Sequence, residues 1–183
     1  MIPISENILL IADPFLKDKN FIRSVIYLCS HDAEGSLGFT LNKKTDFKLN
    51  QLISGLDSFA IPIYAGGPVG LDSIHFLHQL PELIPGSQKL AADIYWGGDF
   101  ESLKDLMRKD LIDFKKIKFF LGYSGWSTGQ LESEIEEKSW LSSAGNSDII
   151  FNTPEKEIWK QSVKLLGPAF EPLINYPIDP QLN

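Results

Sequence analysis

The segment Ile117 to Gln130, IKFFLGYSGWSTGQ, constrains this chain more than any other. Seven β-rich residues, Ile117 to Tyr123, read as a buried strand and run straight into Ser124-Gly125-Trp126-Ser127-Thr128-Gly129. An apolar stripe begins again at Leu131 and Ile135, and Ser127 with Gln130 has the spacing of a capping box. A strand, a glycine-rich turn and a helix must therefore follow one another here with no linker.

The rest of the chain supplies partners for that strand. Ile8 to Ala12 suits a strand closed by Asp13-Pro14, and Val25–His31 and Ser36–Asn42 form a hairpin around Asp32-Ala33-Glu34-Gly35. Leu49, Leu52, Ile53 and Leu56 fall at helical spacing. Ile61 to Ala65 is a strand broken by Gly66-Gly67-Pro68, because proline cannot join a central ladder. Ile74 to His78, Ala92 to Trp96 and Asp148 to Phe151 are further strand candidates. Asp99 caps a helix carrying Leu103, Leu106, Met107 and Leu111. Thr153-Pro154 opens a last helix with Ile158, Trp159, Ser162, Val163 and Leu166 inward, ending at Gly167-Pro168. A proline-bearing tail (Pro172, Pro177, Pro180) is expected to drape over the surface. Early hairpins and later strand–helix alternation do not make a strict βαβ series. The expectation is an α+β fold: one compact domain over residues 1–183, with a strongly curved, largely antiparallel sheet flanked by helices.

Charge and cysteine usage narrow the function classes. The chain carries 24 acidic and 17 basic residues, a formal net charge of −7. Nucleic-acid binding would need a segregated basic face. The candidates are Lys115, Lys116 and Lys118, then Lys43, Lys44 and Lys48; alternation with apolar residues makes Lys116 and Lys118 the wet face of a half-buried strand. Arg23 and Arg108 are the only arginines, which leaves little for bidentate phosphate or base recognition. Cys29 alone gives neither a disulfide nor a zinc–thiolate site within one chain, and it reads as an inert core residue. No apolar run approaches the ~18 residues of a membrane span, and the N-terminus lacks a signal-peptide pattern. A cytoplasmic protein without membrane contact is expected.

Gly125-Trp126-Ser127-Thr128-Gly129 satisfies G-x-S-x-G between a strand and a helix, the context of a nucleophile elbow. All three histidines (His31, His75 and His78) precede the serine, against the hydrolase order, and a helix cap through the Ser127 hydroxyl accounts for the residue. A hydrolase using Ser127 with His31 or His78 stays as one alternative. The same turn suits a ligand: Gly122, Gly125 and Gly129 permit close backbone approach, while Tyr123 and Trp126 offer rings. Gly66-Gly67-Pro68 poses the same question more weakly. His75 and His78, three apart on a strand, lie on opposite faces and cannot chelate one metal. Glu132, Glu134, Glu136 and Glu137 read as a solvated acidic helix face. Neither a metal nor a cofactor is expected.

Taken together, the segments resemble the YqgE/AlgH family of bacterial proteins (DUF179, UPF0301). The resemblance starts at Ile8 to Ala12 with Pro14, Phe21 to Ile26, His31-Asp32, Glu34-Gly35 and Gly38 to Asn42. It continues through Tyr64 to Val69 and Phe76-Leu77-His78. The strongest block is Phe120 to Trp126 with Gly129-Gln130-Leu131-Glu132, Glu134 and Ser139-Trp140-Leu141, and Phe151 and Trp159 carry it to near Gly167. The resemblance implies a compact α+β domain with a bent, partly barrel-like sheet. Some members carry the label of transcriptional regulator through a genetic link to alginate production, without a recognised DNA-binding motif. In the family pattern the position of Ser127 is often glycine or another small residue, which weakens a nucleophile there.

The expected function is a non-enzymatic module that binds a small molecule or a protein, with an indirect regulatory role; direct DNA binding is the second alternative. The candidate ligand residues are Gly66, Gly67, Pro68, Gly122, Tyr123, Gly125, Trp126, Gly129, Gln130 and Glu132, with no catalytic or metal residue. The two glycine segments are expected to be spatial neighbours sharing a concave surface.

Overall fold

The computed structural model describes residues 2–177. Ten strands follow in chain order: β1 (Ile8–Ala12), β2 (Val25–Asp32), β3 (Gly35–Thr40), β4 (Lys44–Lys48), β5 (Pro62–Ala65), β6 (Val69–His78), β7 (Gln88–Lys89), β8 (Tyr95–Trp96), β9 (Ile117–Ser127) and β10 (Trp140–Ala144). Four α-helices punctuate them: α1 (Leu49–Leu52), α2 (Phe100–Arg108), α3 (Gln130–Glu136) and α4 (Glu155–Leu165). The strands form one curled sheet in the order β10-β1-β2-β3-β9-β6-β8-β7, with β4 and β5 as a branch. Every pairing is antiparallel except β5 with β9. The expected α+β architecture with a curved, largely antiparallel sheet is the one observed.

Curling lets one sheet enclose apolar side chains on both faces. All five residues of β1 are buried. Leu9 and Ile11 pack with Tyr27, Phe39 and Phe120 under α4, whose Ile158, Trp159 and Val163 close that core. Ile8, Leu10 and Ala12 face the other way, against Trp126, Leu131 and Trp140. A third cluster joins Phe76 and Phe119 to Leu103 and Met107 of α2. β9 contributes to all three, through Phe119, Phe120 and Trp126.

That strand is longer than its sequence suggested. It does not stop at Tyr123 but continues to Ser127, so most of the expected glycine turn is strand. On one edge it pairs with β6; on the other it pairs with β5 through Phe119–Leu121 and then with β3 through Ser124–Ser127. Gly122 sits at the change of partner with φ +64°, and a Cβ there would lie 2.6 Å from the Val69 carbonyl oxygen. Gly66 fills the gap opened by the switch. Its N–H donates to the Leu121 carbonyl at 2.9 Å, and its own carbonyl accepts from Thr40 N–H and the Ser124 hydroxyl. A Cβ on Gly66 would collide with the Gly122 carbonyl oxygen, and one on Gly67 with the Tyr123 carbonyl.

Other differences have local causes. The helix on Asp99 ends at Arg108, because Asp110 turns left-handed (φ 56°) and leaves Leu111 exposed. Asp148–Asn152 is a π-helical turn and not a strand: Asn146 accepts from Ile149 N–H, Asn152 donates to Asp148, and Thr153 N–H closes on the Asp148 carbonyl. Such side-chain bonds offer the backbone an alternative to a ladder. The Thr153 hydroxyl donates to that same carbonyl, so the N-cap of α4 is Pro154. The tail from Pro168 to Asn175 is a 3₁₀ segment, strapped by Arg23, which donates to the Leu173 and Tyr176 carbonyls and stacks on Trp159. Pro180 lies outside the described residues.

Substituting Gly66→Ala should cost about 3 kcal/mol, since the obstacle is backbone that cannot yield, lowering the melting temperature by about 6–12 °C. Gly129 has φ +74° but open space around it, so Gly129→Ala should cost only about 1 kcal/mol of backbone strain. Thermal melts of the two variants test the distinction.

Candidate functional site

A cleft of about 330 Å³ lies where the β1–β2 connection, the β5–β6 turn, the end of β9, α3 and the start of β10 meet. Pro68, Gly125 and Trp126 form one side, with Gln130 and Glu134 projecting from α3 and Phe21 opposite. Glu134 organises it. Its Oε2 accepts from the indole N–H of Trp126 at 2.9 Å and of Trp140 at 2.8 Å, while Oε1 accepts from the Gln130 amide at 2.9 Å. The two indoles meet edge to face, and Phe21 packs edge-on against Trp140. A carboxylate with four acceptor sites thus uses three on neighbours. Asp18 lines the same cleft, which holds no basic side chain.

A second cavity of about 430 Å³ adjoins it across Asn20, Phe21 and Pro68, and there Lys19 and Lys43 supply the charge. The concave surface is therefore acidic at the α3 end and basic at the β3–β4 end. Lys43 also donates to the Ile22 carbonyl at 2.7 Å, and burial pulls its pKa down.

The two glycine segments are in direct backbone contact, as expected; residues 122–127 belong to β9, while residues 66–68 form the β5–β6 turn and residues 129–132 open α3. Pro68, Gly125, Trp126 and Gln130 line the first cleft, and Gly67 and Pro68 the second. Gly66 and Gly122 are buried in the β9 junction. The Tyr123 ring packs edge-on against His75. Gly129 is the left-handed N-cap of α3, and Glu132 points to His31, 3.7 Å from its Nε2. Ser127 does not cap α3 with its hydroxyl. Both its N–H and its Oγ donate to Gln130 Oε1 at 3.1 Å, half of a capping box held from the glutamine side. His31 Nδ1 meets Ser36, and both ring nitrogens of His78 are engaged, by Gly97 and Leu80. None of the three histidines hydrogen-bonds Ser127.

Comparison with known proteins gives the lineage. The family model described as AlgH-like, DUF179, matches residues 9–171. The chain belongs to the AlgH-like family. A UPF0301 protein of Parabacteroides distasonis is 44% identical over 185 residues, covering 100% of this chain and 93% of its own length. One from Chlorobaculum tepidum is 41% identical over 175 residues, covering 96% and 94%. The solution structure of the AlgH protein from Pseudomonas aeruginosa aligns with a TM-score of 0.74 at 26% identity over 97% of this chain and 98% of that one. A crystal structure from Corynebacterium diphtheriae, at TM-score 0.75 and 20% identity over 96% and 94%, shares the fold.

Two residues of this AlgH-like chain have surroundings that the sequence pattern conceals. Glu132, Glu134, Glu136 and Glu137 crowd one short helix and read as a solvated acidic face, but Glu134, four residues after Gln130 and six before Trp140, turns inward onto both. Alternation with apolar residues predicts that Lys118 faces solvent. It is only 8% exposed, donates through Nζ to the Ile150 carbonyl at 3.2 Å, and lies 4.1 Å over the Tyr64 ring. Desolvation pushes its pKa down to about 7. Lys43 is bonded to a carbonyl, Lys44 is paired to Glu155 at 3.1 Å and Lys118 is enclosed, so both lysine groups lose members to internal contacts, while Lys115 and Lys116 stay exposed. Burial also lowers the His75 and His78 pKa values and raises that of the enclosed Cys29 thiol.

Two outcomes follow. Glu134→Ala leaves two enclosed indole N–H groups unpaired and should cost about 2–4 kcal/mol, read by urea denaturation, while Glu134→Gln keeps one acceptor and costs less. Lys118 titrates near 7 folded and at its ordinary 10.5 unfolded. The unfolded chain therefore binds more protons between those values, and stability rises with pH across that window. Lys118→Met should gain stability over the wild type at about pH 6, and the gain should shrink toward about pH 10.

Proposed function

We propose that this AlgH-like protein is a non-enzymatic binding module whose ligand seats in the cleft between Phe21, Pro68, Trp126 and Gln130. The observation that carries the reading is convergence: two glycine segments far apart in sequence meet at one concave surface whose polar groups are held in place by Glu134. Preorganised polar groups beside aromatic walls are what a small-molecule site requires. Asp18 and the remaining acceptor capacity of Glu134 favour a ligand that presents N–H donors or a cationic group, with a ring against Phe21 and Trp126. Lys19 and Lys43 in the adjoining cavity favour an acidic group at its other end.

A regulatory role then works through the bound state, not through operator contact. The buried Lys118, the carbonyl-bound Lys43 and the paired Lys44 argue against direct DNA binding. Ser127 lacks a histidine partner, which argues against the hydrolase alternative.

A thermal-shift panel of amino acids, nucleosides, nucleotides, polyamines and duplex DNA tests the reading. A ligand at about 100 times its dissociation constant adds roughly 2.7 kcal/mol, or about 5–11 °C for a chain of this size. Ring-bearing donors should give the shift, quench tryptophan fluorescence, and lose both effects in Gln130→Ala. A flat small-molecule panel would move the site to a protein partner, and a shift confined to duplex DNA would overturn the reading.

A further inference from the structure

A third cavity, of about 310 Å³, shares no residue with the cleft and its neighbour. Its walls are apolar where Ile61, Pro62, Phe114 and Phe151 form them, and Lys118 is set among them. Both groups that hold the Lys118 nitrogen, the Ile150 carbonyl and the Tyr64 ring, also line the cavity, so Nζ lies at its wall and not behind it. A neutral primary amine has two N–H bonds and one lone pair. The carbonyl takes one N–H and the aromatic face the other, which leaves the lone pair without a partner. Lys115 adds a second cationic side chain to the lining.

We propose that this cavity captures a small aldehyde or ketone with an apolar body and an acidic substituent, held as a reversible imine on Lys118. The Nζ lone pair attacks the carbonyl carbon, and the C=O electron pair moves to oxygen, which is protonated. The resulting carbinolamine then expels that oxygen as water as the C=N bond forms. Both amine hydrogens leave with the water, and nothing is oxidised or reduced. A desolvated lysine in an apolar pocket is the usual way to obtain an amine that is nucleophilic near neutrality, and burial sets Lys118 in that range. The charged groups around it are Lys115, Lys44 and Glu155, with the Tyr64 phenol beneath. Lys44 and Glu155 are already paired with each other, so Lys115 is the cation left for the acidic substituent.

The test uses the full chain with phenylpyruvate, and with benzaldehyde as the acid-free control, followed by cyanoborohydride reduction and peptide mapping by mass spectrometry. The expected result is a single adduct at Lys118, formed at least about tenfold faster than at any exposed lysine at pH 7.5, with half-maximal rate near pH 7. Lys118→Arg should abolish it with the fold intact by circular dichroism. Lys115→Ala should keep the benzaldehyde adduct and lose the preference for the acid. Adducts spread over surface lysines, or an unmodified Lys118 in the folded wild type, would overturn the proposal. The wild-type map decides even if the Lys118 variant fails to fold.

Discussion

The partner change along β9 is the constraint on which the rest depends. A strand can leave one neighbour and take another on the same edge only if something satisfies the backbone groups at the gap. Here Gly66 does so, with its N–H on Leu121 and its carbonyl on Thr40 and Ser124. The contact is possible because Gly66 and Gly122 lack side chains, and because Gly122 can take φ +64° without the cost other residues meet there. The junction lets β3 and β5 both pair with β9, in a sheet whose curl also draws on ordinary strand twist and on irregularities in the β2–β3 and β6–β9 ladders. The two-sided burial of β1 follows from that curl.

The junction also places the cleft. Because β9 continues past Gly122, Trp126 arrives against Trp140 and α3 begins within three residues of the strand's end. Glu134 then reaches both indoles from the second turn of α3. An ionised carboxylate makes stronger hydrogen bonds than a neutral acceptor, so one residue fixes two large rings and the Gln130 amide together. Gln130 in turn holds the N–H and hydroxyl of Ser127. A chain of bonds from Ser127 through Gln130 and Glu134 to the tryptophans leaves little of the acidic cleft free to rearrange.

Much of this architecture was legible from residue pattern. The Val25–Thr40 hairpin and the Asp99 cap depend on local signals, and local signals survive folding. The partner switch does not show in sequence, since a glycine needed for chain contact reads the same as one needed for a turn. For that reason residues 124–127 read as a glycine-rich turn and are strand. β10 was missed because Trp140 to Ala144 carries three polar or small residues, and its burial comes from the sheet around it. In the candidate site, Trp126 and Gln130 were found through their motif. Glu134 reads as solvent-facing because four glutamates crowd one short helix, and Lys118 because it alternates with apolar residues on a strand; tertiary packing turns the first inward and encloses the second.

Those two residues are also where the structure departs from the simplest way to be stable. A methionine at position 118 would fill similar space without the desolvation penalty of an amine. An apolar pair of rings at positions 126 and 140 would need no carboxylate beneath them. Local choices that disagree with stability, in a chain otherwise consistent from propensity to packing, are where function is to be sought. The glycine and aromatic signature of this AlgH-like chain therefore explains its fold. The residues at which the chain departs from that consistency are the half-buried Glu134 of α3 and the enclosed Lys118 near the start of β9.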